Sequence, residues 1–457
     1  MEEVHLSTEE KRRLLTTPEG HFFDIKSRRI TPAKASQSLS AFANADGGEI
    51  YIGIEDIRVQ GDRWDGFDNQ ESANAHVAVL TGLFPPGDIF NYTFLTAEGS
   101  PGVVLRIEIL KNRNVWADSA GDHWIRRGAQ NLRLDRERIR QLEYAKGLIS
   151  FEDERLDVGF DYLLDSGPLA DFMSSVVPSA DPDRWLSKKR LLIDGKLTVA
   201  GAMLFSDEPQ ALLPKASIKI YRYQTSGEPT RESLEGQPET IEGSSYEQIR
   251  QAVARVVSIV ERIPVMRDSG FEAIRYPNNA IHEIITNAVI HRDYSLNDDI
   301  HVRIFNNRIE IYSPGRLPGH IRPSNILDER LARNQKIVRL LNKFPDPPNK
   351  DVGEGLNTAF EAMRALQLRD PAVEETETGV LVVLKHEKLA TPEQKIAEYL
   401  RTHEEINNTQ ARAITFIGSE NTVKRVFQKM MRAGIIERIP ERTQRSTAYR
   451  KGPNFEN

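Results

Sequence analysis

Between Asn279 and Tyr294 the apolar residues fall at Ile281, Ile284, Ile285, Ala288 and Val289. That i, i+3, i+4 spacing predicts a helix with one buried face. Residues 300–305 then alternate apolar and polar, Asn306-Asn307 makes a turn, and residues 308–312 alternate again, which predicts a β-hairpin. Near the start, Thr31 and Pro32 are suited to open a helix whose apolar stripe is Ala35, Leu39, Phe42 and Ala43. It ends at Asn44-Ala45-Asp46-Gly47-Gly48, where the glycines permit left-handed backbone, and Ile50, Ile52 and Ile54 alternate in the strand beyond. Residues 103–109 and 216–223 read as further strands. The apolar run 197–205 reads as a tightly packed helix, 225–242 as a loop or hairpin, 246–263 as a helix and 380–384 as a last strand. After a linker near Lys388–Pro392, three short helices precede two strands, 435–439 and 448–450, the pattern of a winged helix-turn-helix.

These elements divide the chain into residues 1–147, a connector at 148–271, a third domain at 272–388 and a small one at 391–457. A length of 457 residues favours two to four domains. With 39% hydrophobic and 28% charged residues the composition is that of a soluble globular protein. The net charge of −6 excludes a global basic field, so any nucleic-acid surface is local. One such region exists: nine Lys/Arg stand against two Glu between Asn421 and Lys451, a local excess of +7. Lys424, Arg425 and Gln428 on the predicted third helix are candidates to reach bases, with Arg442 and Arg445 in the wing; dimerisation is the other use of such a module. The absence of cysteine excludes disulfides, thiolate zinc sites and a cysteine nucleophile, and suits a reducing cytoplasm. The acidic, polar start is unlike a signal peptide, and no run of about 18 apolar residues is present to span a bilayer.

Chemistry enters first at Glu283 and Asn287, four apart and therefore on one side of their helix. A carboxylate and an amide so placed can orient a water and hold a magnesium ion on phosphates, or can simply be a solvated helix face. In the first domain, Glu55-Asp56 places acids at a strand end, and Trp124-Ile125-Arg126-Arg127 sets aromatic and basic groups together. Arg126 and Arg127 could contact a backbone and a base, or lie at a solvated strand end.

Two resemblances sharpen this reading. The helix 279–294, Ser313-Pro314-Gly315-Arg316-Leu317-Pro318-Gly319, Ala332-Arg333-Asn334-Gln335 and Gly353-Glu354-Gly355-Leu356-Asn357 make residues 276–384 resemble the ATP-binding domain of gyrase, heat-shock chaperones, histidine kinases and MutL, the GHKL group. Within that group the stretch looks most like bacterial ATP-binding transcriptional regulators. The resemblance implies that Glu283 activates a water and Asn287 ligates magnesium. It also implies that His291, Arg292, Asp293, Ser313 and Gly315 belong to the nucleotide site and that Gly353 and Gly355 form a lid. It departs at Ser313, where the group usually has an Asp that reads the adenine amino group. Separately, Glu19-Gly20-His21-Phe22-Phe23-Asp24-Ile25-Lys26, Ala41-Phe42-Ala43-Asn44-Ala45-Asp46-Gly47-Gly48 and Ile52-Gly53-Ile54-Glu55-Asp56 are similar to the AlbA-like domain of the Schlafen family. That similarity implies nucleic-acid binding. For the family's nucleases it further implies a divalent metal, magnesium or manganese, held by Glu19, Asp24 and Asp56, with Lys26 stabilising the phosphate.

The expected fold class is therefore α/β and α+β multidomain: a Schlafen/AlbA-like domain, a GHKL (Bergerat) α/β sandwich and a winged helix-turn-helix. The expected function is that of a cytoplasmic, homo-oligomeric, ATP-binding regulator of DNA, with RNA as the alternative nucleic acid. An ATP-gated, metal-dependent nuclease used in defence against phage is the second reading. A nucleotide site with structural value only is the third.

Overall fold

The computed structural model describes residues 3–59, 61–84, 89–267, 270–273, 276–329, 331–348, 355–366, 368–386, 392–415, 417, 419–440, 442 and 447–455. The chain forms two compact units, one holding Met1–Leu366 and Asp370–Lys385 and the other the remainder.

The first unit begins with β1 (Glu3–Leu6), α1 (Thr8–Thr16), β2 (Phe23–Lys26), α2 (Pro32–Asn44) and β3 (Gly48–Ile52). It continues with α3 (Asn74–Leu83), β4 (Phe90–Ala97), β5 (Val104–Ile109), the hairpin β6 (Trp124–Arg127) and β7 (Gln130–Arg133), and α4 (Arg136–Lys146). Thr31 caps α2 by accepting from the Lys34 amide, and Pro32 fills its first turn, as its sequence predicts. Five strands form a sheet in the order β1-β4-β5-β3-β2. Period-two alternation sends Ile50 and Ile52 to one face, where they meet Leu39, Phe42, Leu80 and Phe94, and sends Tyr51 to the other, with Ile25 and Trp64.

A helical segment follows: α5 (Gly167–Val176), α6 (Pro182–Lys188), a short hairpin of β8 (Leu192–Ile193) and β9 (Lys196–Leu197), and α7 (Val199–Phe205). Next come β10 (Ile218–Arg222), β11 (Glu239–Ile241), α8 (Ser245–Val260), the hairpin β12 (Pro264–Arg267) and β13 (Gly270–Ala273), and α9 (Asn278–Ile290). The unit closes with β14 (Ile300–Ile304), β15 (Arg308–Pro314), α10 (Gln335–Leu341), α11 (Gly355–Ala365), β16 (Ala372–Glu375) and β17 (Gly379–Lys385).

A six-stranded sheet runs β11-β10-β14-β15-β17-β16, with β10 and β14 parallel from Ile218/Ile300 to Arg222/Ile304. The sheet therefore crosses the expected division at residue 271: the second half of the expected connector supplies two strands to it, with α8 beside them. The first half packs there as well, since Phe172, Trp185 and Phe205 join Phe344 in one aromatic cluster, with centroids 5.0–6.4 Å apart.

The second unit has α12 (Pro392–Thr402), β18 (Ile406–Asn407), α13 (Asn408–Thr415), α14 (Glu420–Arg432), β19 (Ile436–Arg438) and β20 (Ala448–Lys451). Its sheet runs β18-β20-β19, and its own core holds Ile396, Leu400, Val423, Phe427, Met430 and Ile436. Among the described residues no helix is long and apolar enough to cross a membrane.

Candidate functional site

The predicted apolar stripe of α9 is the buried one: Ile281, Ile284, Ile285, Ala288 and Val289 are all at most 6% exposed. The helix contacts α8, α11 and β15. Its remaining face carries Glu283 and Asn287, both half-buried, and the Asn287 amide Nδ2 donates to Glu283 Oε1 at 2.9 Å. Burial pushes the Glu283 carboxyl up to about 7, against the opposing effect of that hydrogen bond. Because Nδ2 is committed, the Asn287 Oδ1 lone pairs remain for a cation.

Asn287 lies in the wall of a cavity of about 280 Å³. Ile284, Ala288 and Ile290 of α9, Ile311 of β15, and Val380 and Val382 of β17 form much of its apolar lining, joined by Ser313 of β15 and by Leu356 and Asn357 of α11. The backbone beside it is tightly built. Gly315 has φ +104°, and a Cβ there would stand 2.5 Å from Asp293 Cβ. Ser313 donates its hydroxyl proton to the Ala288 carbonyl at 2.7 Å. Its oxygen therefore faces a ligand with lone pairs alone and, like the carboxylate it replaces, can only accept.

The three residues expected at the nucleotide from His291-Arg292-Asp293 separate. His291 lines the cavity as an exposed residue, and the protein packed around it and then the Arg333 guanidinium lower its pKa. Arg292 is 2% exposed, stacks over Tyr294 at 5.3 Å and donates to the Leu296 carbonyl, so it is an interior residue. Asp293 is also interior: it accepts from Arg333 Nη1 at 3.0 Å and from Ser295 at 2.6 Å. Arg333 donates further to the carbonyls of Tyr144, Ala145 and Arg316, and Asn334 to those of Ile290 and Arg292. The Arg333-Asn334 pair thus holds the end of α9 and the Gly315 loop in place. Its sequence was legible, its role was not. Gly353 lies outside the described residues, and Gly355 is the first residue of α11.

In the first domain, Asp24 is fully buried on β2, paired with Lys26 at 2.7 Å and Arg126 at 3.3 Å. Lys26 also reaches Glu19 at 3.8 Å, and burial followed by the Asp24 charge raises the Glu19 pKa. Asp56 does not join them. It is exposed in the loop after Ile54, where it accepts from the Arg58 amide at 2.9 Å. The expected convergence of Glu19, Asp24 and Asp56 is therefore not formed, and among the described residues no group of three His, Cys, Asp or Glu is placed to hold a metal. Arg126 is corrected likewise. It is 2% exposed, donates to Gly20 and Asn131 and lies over the Phe42 ring, so it braces the β2 turn instead of meeting nucleic acid. Arg127, next along the strand, is exposed.

On α14, Lys424, Arg425 and Gln428 are all exposed, with Lys424 paired to Glu420 at 2.7 Å. Arg442 pairs with Glu405 at 2.8 Å, and Arg445 lies outside the described residues.

Residues 19–135 match the family model described as Schlafen, AlbA_2, and residues 297–384 match that described as "Putative ATP-dependent DNA helicase recG C-terminal". The chain therefore carries a Schlafen AlbA-like domain and an ATPase-like domain of the GHKL type. The second match begins after α9, so the roles of Glu283 and Asn287 rest on geometry. Among solved structures, the DIP2311 protein from Corynebacterium diphtheriae is similar at 18% identity and a TM-score of 0.43, over 97% of this chain and 96% of that one. No curated protein matches the chain.

Proposed function

We propose that the protein binds ATP with magnesium in the cavity beneath α9 and acts as an ATP-responsive DNA-binding regulator. The observation that carries this reading is the Glu283–Asn287 pair beside an apolar cavity inside the ATPase-like domain. The residues fit the ion: Asn287 Oδ1 would hold it, and magnesium would neutralise phosphate charge there. Glu283, ionising near neutral pH, is suited to accept a proton from water aligned on a phosphate. Ser313, an acceptor without a proton to give, favours the adenine amino group over the guanine carbonyl at the same place.

The second unit supplies the DNA surface in this account. Its three helices and three-stranded sheet support a winged helix-turn-helix, with Lys424, Arg425 and Gln428 exposed on the third helix. A homodimer would place two such helices on one duplex. A metal-dependent nuclease is the weaker reading, because Asp24 is already neutralised by Lys26 and Arg126 and Asp56 stands apart. Fluorescence anisotropy with a labelled duplex and RNA of the same sequence, with and without Mg-ATP, tests the proposal. Salt-dependent duplex binding that shifts with nucleotide supports it; binding indifferent to saturating nucleotide overturns it.

A further inference from the structure

Arg316 lines the cavity yet belongs equally to the first domain. Its Nη1 and Nη2 fork onto the two Asp46 oxygens at 3.0 and 2.9 Å, and Nη2 also lies 3.1 Å from Glu375. Asp46 sits in the turn between α2 and β3. That turn packs closely on β5, since a Cβ at Gly47 would stand 2.3 Å from the Ile109 carbonyl oxygen. Asp46 also takes His21 at 2.8 Å and Lys111 at 3.6 Å, and Lys111 in turn reaches Glu375 at 3.1 Å. Among the described lining residues Arg316 is the one Lys or Arg, with His291 the further basic group and Glu329 the carboxylate. An anion entering this mostly apolar space has, among those residues, one guanidinium to draw on, and that group is already committed.

We infer that a nucleotide's anionic group in the cavity and the Asp46 carboxylate compete for Arg316, so that filling the cavity loosens the tie between the first domain's α2–β3 turn and the ATPase-like domain. The inference rests on the nucleotide reading above and names the residue that carries its signal. With Arg316 in place, Asp46 and Glu375 are balanced by Arg316 and Lys111. Once Arg316 withdraws, two carboxylates face one lysine, with the His21 ring beside Asp46 at 2.8 Å. Lys146, which donates to the Ala43 and Asn112 carbonyls, is the further ionisable group near Asp46. Reciprocity requires that removing the Asp46 charge tighten nucleotide binding by the same coupling.

The test is calorimetry of the full chain with Mg-ATP, comparing wild type with Asp46→Asn, alongside NMR of the wild type that follows the backbone amides of Asp46, Gly47 and Gly48 as Mg-ATP is added. The expected results are affinity about tenfold higher in Asp46→Asn and amide resonances in that turn that shift with ATP saturation. Equal or weaker affinity in a variant with an unchanged melting profile overturns the inference, as do amide resonances in that turn that ignore ATP. The NMR arm needs no substitution, so it decides the matter should Asp46→Asn fail to fold. ATP that does not bind the wild type at all brings down the nucleotide reading itself, an outcome distinct from binding without coupling.

Discussion

Glu283 offers a stability measurement that needs no ligand. Its carboxyl is raised from 4.5 to about 7 in the folded chain, chiefly by burial. The folded state then holds a proton that the unfolded chain gives up near pH 4.5, so Glu283 favours folding below that pH and the contribution is lost as pH rises through about 7. A shift of about 2.5 units at roughly 1.4 kcal/mol each means that the ionised group costs on the order of 3 kcal/mol above pH 8. Glu283→Gln keeps the shape and an oxygen to accept from Asn287 Nδ2, while removing the ionisation. The variant is expected to be more stable than wild type by about 1 kcal/mol at pH 5 and about 3 kcal/mol at pH 8.5. Urea unfolding of both proteins, followed on the transition of the first unit, measures this. A gap that stays constant between the two pH values refutes the claim that burial, and not the shape of the site, sets the behaviour of Glu283. The same variant should bind Mg-ATP and fail to hydrolyse it.

Asn287→Ala removes the oxygen assigned to magnesium and is expected to weaken Mg-ATP binding about tenfold or more while sparing metal-free nucleotide, as read by calorimetry with and without EDTA. Arg333→Met leaves Asp293 buried without its cation and removes donors from three further carbonyls. A loss of about 3–5 kcal/mol in urea unfolding is expected, and an unchanged midpoint would contradict the bracing role. Lys424→Glu with Arg425→Glu should weaken duplex binding and flatten its dependence on salt; a slope equal to wild type excludes α14 from the interface.

What the sequence makes legible follows locality. The buried stripe of α9, the capped start of α2, the glycine turn after it and the three-helix second unit all depend on spacings within about twenty residues, and each stands as predicted. What it hides depends on partners far away in the chain. The parallel pairing of β10 with β14 joins Ile218 to Ile300, and nothing in either alternating stretch announces the other. Arg126 reads as a surface cation beside an aromatic because its acceptors, Gly20 and Phe23, are about a hundred residues earlier. The Arg316–Asp46 fork spans 270 residues. The acids of the first domain follow the same rule: the local trio Glu19, Asp24 and Lys26 meets, while Arg126, which closes Asp24 off, comes from the distant β6–β7 hairpin. Even Ser313 shows only its identity in the sequence; that its proton is spent on Ala288 emerges once β15 lies beside α9.

Calorimetric titration of the full chain with Mg-ATP and, in parallel, Mg-GTP tests the central claim most directly. The account predicts saturable binding of ATP, a clear preference over GTP from the acceptor-only Ser313, and Mg-ATP binding weakened about tenfold or more in Asn287→Ala. Absence of ATP binding, or binding that ignores both the base and Asn287, would contradict it.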